Sequence, residues 1–566
     1  MRPSSSGRSD RARRTVLALL VAAATFGCAD GQGSNSPASA PDDASEPASP
    51  SGAKGPAATD SGASAADEFG AVGGRDEASS AERATGVILL VVDTLRADRL
   101  SAYGYERPTA SIDRLANEGT LYLDNRSQGS WTRPSMQSML SGLYVGEEFD
   151  APRSTVPLLS EVLSEAGVET AAFVANPVLG RHAGFDRGYD HFELYPLGQA
   201  RGGVVLRAFA SWYEAREDPG RPWFAWLHMM DPHHPYAPLP QDDLYTATGT
   251  RLHEPALRQR WSSGWDELKN LDPDHGGAAT LAEASAEFIA DSNRYDGEVR
   301  ATDRFVGSLI EQLREYGVLD DTLIVFASDH GEMLWEYRDY PRNVEYTLKK
   351  VGGLPNGLSH LFTVGHTGWF YDQVWRTPLI VRGPGFTAGA RLEGLSANVD
   401  IHPTVLRALD VDPAGPLDGI ALQGSRAPTR EQVYGYGREI TSVVDTRGWH
   451  LVEHGVARFG EGRPTRELLR PQPANELPRN LADKYPPQVV RLEELIGTWR
   501  GELRFEGTTE TSDASREILE ALGYAVPGDE DSEDGGSAGG DAPIDAPQEG
   551  ADTPQDANGS SAGGGR

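Results

Sequence analysis

Cysteine is almost missing from this chain. A single one, Cys28, stands among 566 residues. That excludes an intrachain disulfide and any cysteine-based zinc cluster. Positive charge is also short, with 52 Lys and Arg against 84 Asp and Glu and a net charge of −32. A phosphate backbone attracts the opposite balance, so nucleic acid is not an expected partner. Apolar residues make up only 38% of the chain, while Gly numbers 64 and Pro 38. This is too little for a chain folded throughout, and the shortfall lies at the ends. Residues 29–83 are nearly all Gly, Ser, Ala, Pro and acids, and residues 527–566 carry ten acids against one arginine. Neither stretch can bury enough apolar surface to offset its ordering entropy. What remains, about 85–526, is ample for a large core.

The chain has an apolar run at residues 15–27 that is 13 residues long, too short to cross about 30 Å of hydrocarbon as a helix. Arg8, Arg11, Arg13 and Arg14 precede it, the order of charges in a secretory signal. Cys28 follows small Gly27 at its end, and the segment resembles a bacterial lipoprotein signal in which that cysteine is acylated. Its Thr25-Phe26-Gly27-Cys28 departs from the usual box, and a plain signal cut elsewhere is the other reading. Both predict export. Residues 29–84 then read as a flexible tether.

The body alternates strand and helix signals. The run Val87-Ile88-Leu89-Leu90-Val91-Val92 predicts a strand buried on both faces. Residues 170–175, 223–227, 322–327 and 378–381 predict further strands. Helical spacing appears over 112–119, 158–166 and 299–313. The expected fold is α/β, a mostly parallel central sheet with helices on both faces over residues 85–430. Short antiparallel strands over 433–450 and helices over 489–499 and 515–522 predict a small α+β domain at 431–526, before the acidic tail.

Chemistry-bearing residues stand at the strand ends. Asp93 follows the first strand, and Asp329-His330-Gly331-Glu332 follows the strand at 322–327. Ligands in open α/β sheets bind beyond the carboxyl ends of strands. Two carboxylates and an imidazole there can share one divalent cation, Ca²⁺, Mn²⁺ or Zn²⁺; a helix N-cap is the plainer use of such an aspartate. Thr132, ahead of Pro134 and a helical run closed by Gly142, is placed near a helix N-terminus, where anions bind well.

Taken together, these pieces resemble the sulfatase family of the alkaline-phosphatase superfamily. The matching stretches are 91–100 with Tyr103-Gly104-Tyr105, 113–119, and Trp131-Thr132 through Gly142. His228 with Asp231-Pro232-His233-His234-Pro235-Tyr236 and Tyr295-Asp296-Gly297-Glu298 follow. Next come Ser328-Asp329-His330-Gly331-Glu332, Gly365-His366-Thr367-Gly368 with Tyr371-Asp372, 377–380, and Asp400 with Pro403-Thr404. Asn480-Leu481-Ala482 and Leu522-Gly523-Tyr524 complete a collinear match over about 85–525. The resemblance implies a metal held by Asp93, Asp329, His330 and Thr132. Thr132 takes the place of the catalytic residue, and His233 and His366 attend the oxyanion or the leaving group. A threonine there is a departure, because it cannot become formylglycine. Met136 replaces the family's arginine, for which Arg133 is the candidate substitute, and Thr94 replaces a second aspartate.

The function this implies is an exported, metal-dependent hydrolase of sulfate or phosphate esters, with Thr132 as the metal-activated nucleophile. Its substrate would be a small molecule, glycan or lipid ester. A phosphodiesterase, a phosphonate hydrolase and a phospho-group transferase are alternatives, as is an inactive lipoprotein that only binds a ligand. One cation is expected, with His228, Asp231 and His366 as a possible second set. Arg96, Arg133, Arg181, Lys349 and Lys350 are candidates for a basic mouth, or else scattered surface charge. The segment 239–282 reads as an insertion able to shape substrate choice.

Overall fold

The computed structural model describes residues 83–144, 155–248, 261–262, 281–338, 362–366, 368–424, 426, 428–437, 440–454, 465–471 and 479–503. The address at 1–28 with Cys28, nearly all of the tether, Trp265, Lys349, Lys350, Thr367, the helix at 515–522, residues 522–524 and the acidic tail lie outside them.

The first strand, β1 (Gly86–Val92), is buried at every position. Its side chains alternate between two cores. Ile88, Leu90 and Val92 pack on one face, and Val87, Leu89 and Val91 on the other, as period-two geometry requires. The remaining strands of its sheet are β2 (Thr120–Arg126), β3 (Glu169–Val174), β4 (His191–Leu194), β5 (Trp223–Met229) and β6 (Thr322–Ala327). A two-stranded ribbon follows, β7 (Met333–Arg338) with β8 (Phe362–Gly365). Then β9 (Arg376–Arg382) and β10 (Ala390–Ala397) return to the large sheet. The eight strands run in the order β10-β2-β9-β6-β1-β5-β3-β4. All pairs are parallel except the two made by β9, which runs against both β2 and β6.

Helices cover both faces. On one side lies α1 (Ala110–Glu118). Facing the other core are α2 (Thr132–Ser141) and α3 (Leu159–Glu165). The first face is completed by α4 (Gly202–Glu214) and α5 (Leu281–Glu315), through Val205, Phe209, Val306 and Leu313. The second face is completed by α6 (Ile401–Ala408), through Ile401, Val405 and Leu406. Burying each such side chain contributes about 1.5–3 kcal/mol.

A second sheet, wholly antiparallel, holds β11 (Gln432–Gly437), β12 (Ile440–Asp445), β13 (His450–His454) and β14 (Arg466–Leu469). Helix α7 (Pro486–Glu502) packs on it with Val489, Leu492, Ile496 and Trp499. That core also takes in Tyr144, Phe370, Trp375 and Leu395 from the larger body.

Candidate active site

Strand register builds the site. Val174 of β3 pairs with His228 of β5, His228 with Val91 of β1, and Val91 with Ala327 of β6. One level line therefore crosses four adjacent parallel strands. Two residues beyond it the chain presents Asn176, Asp93 and Asp329, all fully buried, at the carboxyl edge where such sheets bind ligands.

Asp93, Asp329 and His330 converge, their nearest ligand atoms lying within 4.8 Å of one another. His330 Nε2 is 3.3 Å from Asp329 Oδ2 and 3.7 Å from Asp93 Oδ1. Its Nδ1 faces the Gly331 carbonyl at 3.0 Å. A carbonyl accepts only, so Nδ1 carries the hydrogen and Nε2 presents its lone pair to the carboxylates. Asp93 Oδ1 and Asp329 Oδ2 are buried without a hydrogen-bond partner among the described residues. Buried carboxylate oxygens are rarely left so, and two of them beside an imidazole lone pair fit a divalent cation.

The charges agree. Burial and the neighbouring Asp93 carboxylate raise Asp329 well above the usual range. Burial works against Asp93 too, but His233, His330, His228 and His366 together hold it low. His330 is pushed down to about 3 by burial and by His366, so it is neutral and able to ligate.

Backbone geometry holds this group rigidly. A Cβ at Gly331 would lie 2.0 Å from the Gln373 carbonyl, so only glycine lets the chain turn away after His330. Thr94 has φ of 56°, a strained state for a β-branched residue. Its N–H donates to Asp329 Oδ1 at 3.3 Å, and its carbonyl accepts from Tyr295 Oη at 2.8 Å.

Thr132 is the first residue of α2, a helix buried at every position despite its polar sequence. Gly142 ends that helix with φ of 71°, its N–H bonded to the Ser138 carbonyl. Thr132 Oγ1 is 3.3 Å from His330 Nε2 and 3.4 Å from Asp93 Oδ2. The structure thus brings Thr132 to Asp93, Asp329 and His330. His366 packs against His330 with the rings tilted by 37° and their centroids 4.2 Å apart, and its Nδ1 is 3.1 Å from Glu332 Oε1. His233 lies one ring further out, 5.5 Å from His366. Its Nδ1 is 2.6 Å from the His234 carbonyl. Burial, together with His233, pushes His366 down to about 3. Burial pushes Glu332 up to about 7 against the pull of His233, His234 and His330.

Other sequence expectations land elsewhere. The Arg133 guanidinium is fully buried, donates to the Val178 carbonyl and meets His182 Nε2 at 3.3 Å. Met136 packs in the core. Arg96 is neither at a mouth nor on the surface. It is buried against Asp98 and Glu336 at 2.7 Å each, because the turn after β1 folds it inward. Arg181 is an exposed partner of Asp186. Asp231 accepts the Gly202 N–H at the start of α4 at 2.6 Å, and among the described residues it does not group with His228 and His366 as a second cation set. Asp296 braces Arg99 and Arg107. Trp261 packs on Phe288 and donates to the Trp335 carbonyl, which ties the insertion to α5 and β7.

Sequence reasoning missed Asn176. Its Nδ2 donates to Asp93 Oδ2 at 2.7 Å and lies 3.5 Å from Thr132 Oγ1. An Asn-Pro pair reads first as a turn. The signal was its place directly after a buried strand, the same that marked Asp93.

Comparison with known proteins agrees with this geometry. Residues 85–411 match the sulfatase family. The N-acetylglucosamine-6-O-sulfatase of Bacteroides thetaiotaomicron is 23% identical over 406 residues, covering 60% of this chain and 70% of the relative. The multifunctional alkaline phosphatase superfamily protein PehA of Trinickia caryophylli is 25% identical over 419 residues, 59% of this chain and 76% of the relative. A protein solved in complex with its substrate D-glucosamine-2-N,6-O-disulfate superposes with a TM-score of 0.57 at 18% identity, over 75% of this chain and 98% of its own. The chain is a member of the sulfatase family, an ester hydrolase with the fold and the buried Asp/Asp/His group of that family.

Proposed function

We propose that this protein is an exported hydrolase that opens sulfate or phosphate esters by attack of Thr132, with phosphodiesters and phosphonates as the leading substrates. The observation that carries the reading is the position of Thr132 Oγ1, 3.3 Å from His330 Nε2 and 3.4 Å from Asp93 Oδ2 at the first turn of α2. Asp93, Asp329 and His330 would hold a divalent cation, which when bound supplies Lewis acidity to the ester oxygen and to the hydroxyl.

The remaining chemistry belongs to side chains. The Thr132 hydroxyl points at Asp93 Oδ2, the acceptor in place for its proton. Oγ1 bonds to phosphorus or sulfur while the bond to the ester oxygen breaks. His233 protonates the departing oxygen as general acid. Water then cleaves the Thr132 ester and frees the hydroxyl. The backbone N–H groups opening α2 face the charge on the non-bridging oxygens. Threonine cannot regenerate itself through an aldehyde hydrate, and that favours phosphorus, whose threonine ester water can open by in-line displacement. Relatives named for sulfated sugar and for multifunctional phosphatase-type activity support testing both classes. Acylation of Cys28 and anchorage to a bacterial membrane belong to the same proposal.

The test is a screen of sulfate monoesters, phosphate mono- and diesters and phosphonates with Mn²⁺, Zn²⁺ or Ca²⁺, with mass spectrometry of the stalled enzyme. Expected is turnover with an adduct on Thr132, and more than about a 1000-fold fall in kcat in Thr132→Ala. Neither turnover, adduct nor bound cation would overturn the reading and leave a ligand-binding protein.

A further inference from the structure

We propose that Asn176 is a positioning residue that divides the two oxygens of Asp93 between two tasks, Oδ1 facing the cation and Oδ2 held beside Thr132; the second task rests on the assignment of Thr132 as nucleophile. The amide has one possible orientation. Val178 donates its backbone N–H to Asn176 Oδ1 at 3.1 Å, so the other end of the amide is the NH₂ group. That group has two hydrogens and meets two acceptors, Asp93 Oδ2 at 2.7 Å and Thr132 Oγ1 at 3.5 Å.

The consequences follow from the donor count. With Oδ2 satisfied by Asn176, Asp93 turns Oδ1 towards His330 Nε2, and Oδ1 is the oxygen left without a hydrogen-bond partner among the described residues. The amide therefore selects which oxygen faces the cation. Its second hydrogen lies on the Thr132 side, which keeps Oγ1 beside Asp93 Oδ2. A carboxylate or lysine would upset one task or the other. The amide is neutral, adds no charge beside Asp93, and cannot be deprotonated by it. The register line explains the precision: Asn176 leaves β3 two residues past Val174, as Asp93 leaves β1 two residues past Val91.

The experiment measures Mn²⁺ affinity by calorimetry on the full chain and, separately, kcat and KM for bis(4-nitrophenyl) phosphate. Asn176→Ser keeps an oxygen for the Val178 N–H but is too short to reach Asp93; Asn176→Ala removes both bonds. Expected is a 10–100-fold weaker Mn²⁺ affinity in both variants, the usual effect of losing a hydrogen bond to a ligating group. The kcat should fall about 100-fold, with KM within about threefold. Mn²⁺ affinity within threefold of wild type in Asn176→Ser overturns the proposal, whatever happens to turnover. Normal turnover by Thr132→Ala, with Mn²⁺ binding still lost in Asn176→Ser, overturns the nucleophile assignment and leaves the role at Asp93 standing. A wild-type chain that binds no Mn²⁺, Zn²⁺ or Ca²⁺ overturns both.

Discussion

Asp93 and Asp329 place two carboxylates side by side in a fully buried pocket, which costs stability unless a cation or a proton intervenes. Removing one charge therefore has opposite effects on folding and on metal binding. Asp329→Asn is expected to melt at a higher temperature than wild type in EDTA, yet to bind Mn²⁺ at least 100-fold more weakly. At 100 times its dissociation constant the cation adds about 2.7 kcal/mol to wild type, an increment the variant should lack. Calorimetric scans with and without Mn²⁺ check this; equal increments in the two proteins would count against the ligand role of Asp329. These residues were readable because each stands at the end of an apolar strand run, Asp93 next to Val92 and Asp329 with only Ser328 between it and Ala327. Asn176 was not, because a turn explains Asn-Pro equally well until register is known. Arg96 was hidden in another way: it read as a cation at the mouth or as scattered surface charge, and a sequence does not show that Asp98 and Glu336 already engage it.

Among the elements, β12 and β13 carry a buried histidine whose protonation the fold opposes. His450 Nε2 is 2.7 Å from Ser442 Oγ, and its ring lies on Trp375. Burial pushes its pKa down to about 3. The unfolded chain binds a proton near pH 6.5, so this neutral imidazole stabilises the fold above that pH. Its contribution is lost progressively as pH falls from about 6.5 towards 3. At pH 5 the loss is about 2 kcal/mol. His450→Gln should flatten that part of the stability profile, measured by urea unfolding between pH 7 and 4.5; an unchanged slope would contradict it. Of this sheet, β11 and β12 were legible as short antiparallel segments over 433–450, whereas β13 and β14 lie almost wholly beyond that stretch. In the large sheet β1, β3, β5 and β6 were legible from their apolar runs. β2 was not, since Asp124, Asn125 and Arg126 close it with polar side chains. β9 was legible as a strand, but its reversed direction was not, because direction is set by the path of the connections and leaves no mark on side-chain pattern.

For the whole molecule, the core shared between Trp375, Phe370 and Tyr144 and the small sheet argues against two independently melting units. Apolar surface of that kind couples the parts it joins. A scanning calorimeter should record one transition for the body of the protein; two well-separated peaks would show that the small sheet unfolds alone. The line of paired residues running through β3, β5, β1 and β6 has a wider consequence. Distances among the reactive groups are inherited from the hydrogen-bond ladder, which keeps its spacing whatever side chains the strand tips carry. Thr132 arrives from a helix outside that ladder. The buried Asp/Asp/His group and the residue that opens α2 can therefore be altered separately, so that an exchange at Thr132 leaves the ruler untouched.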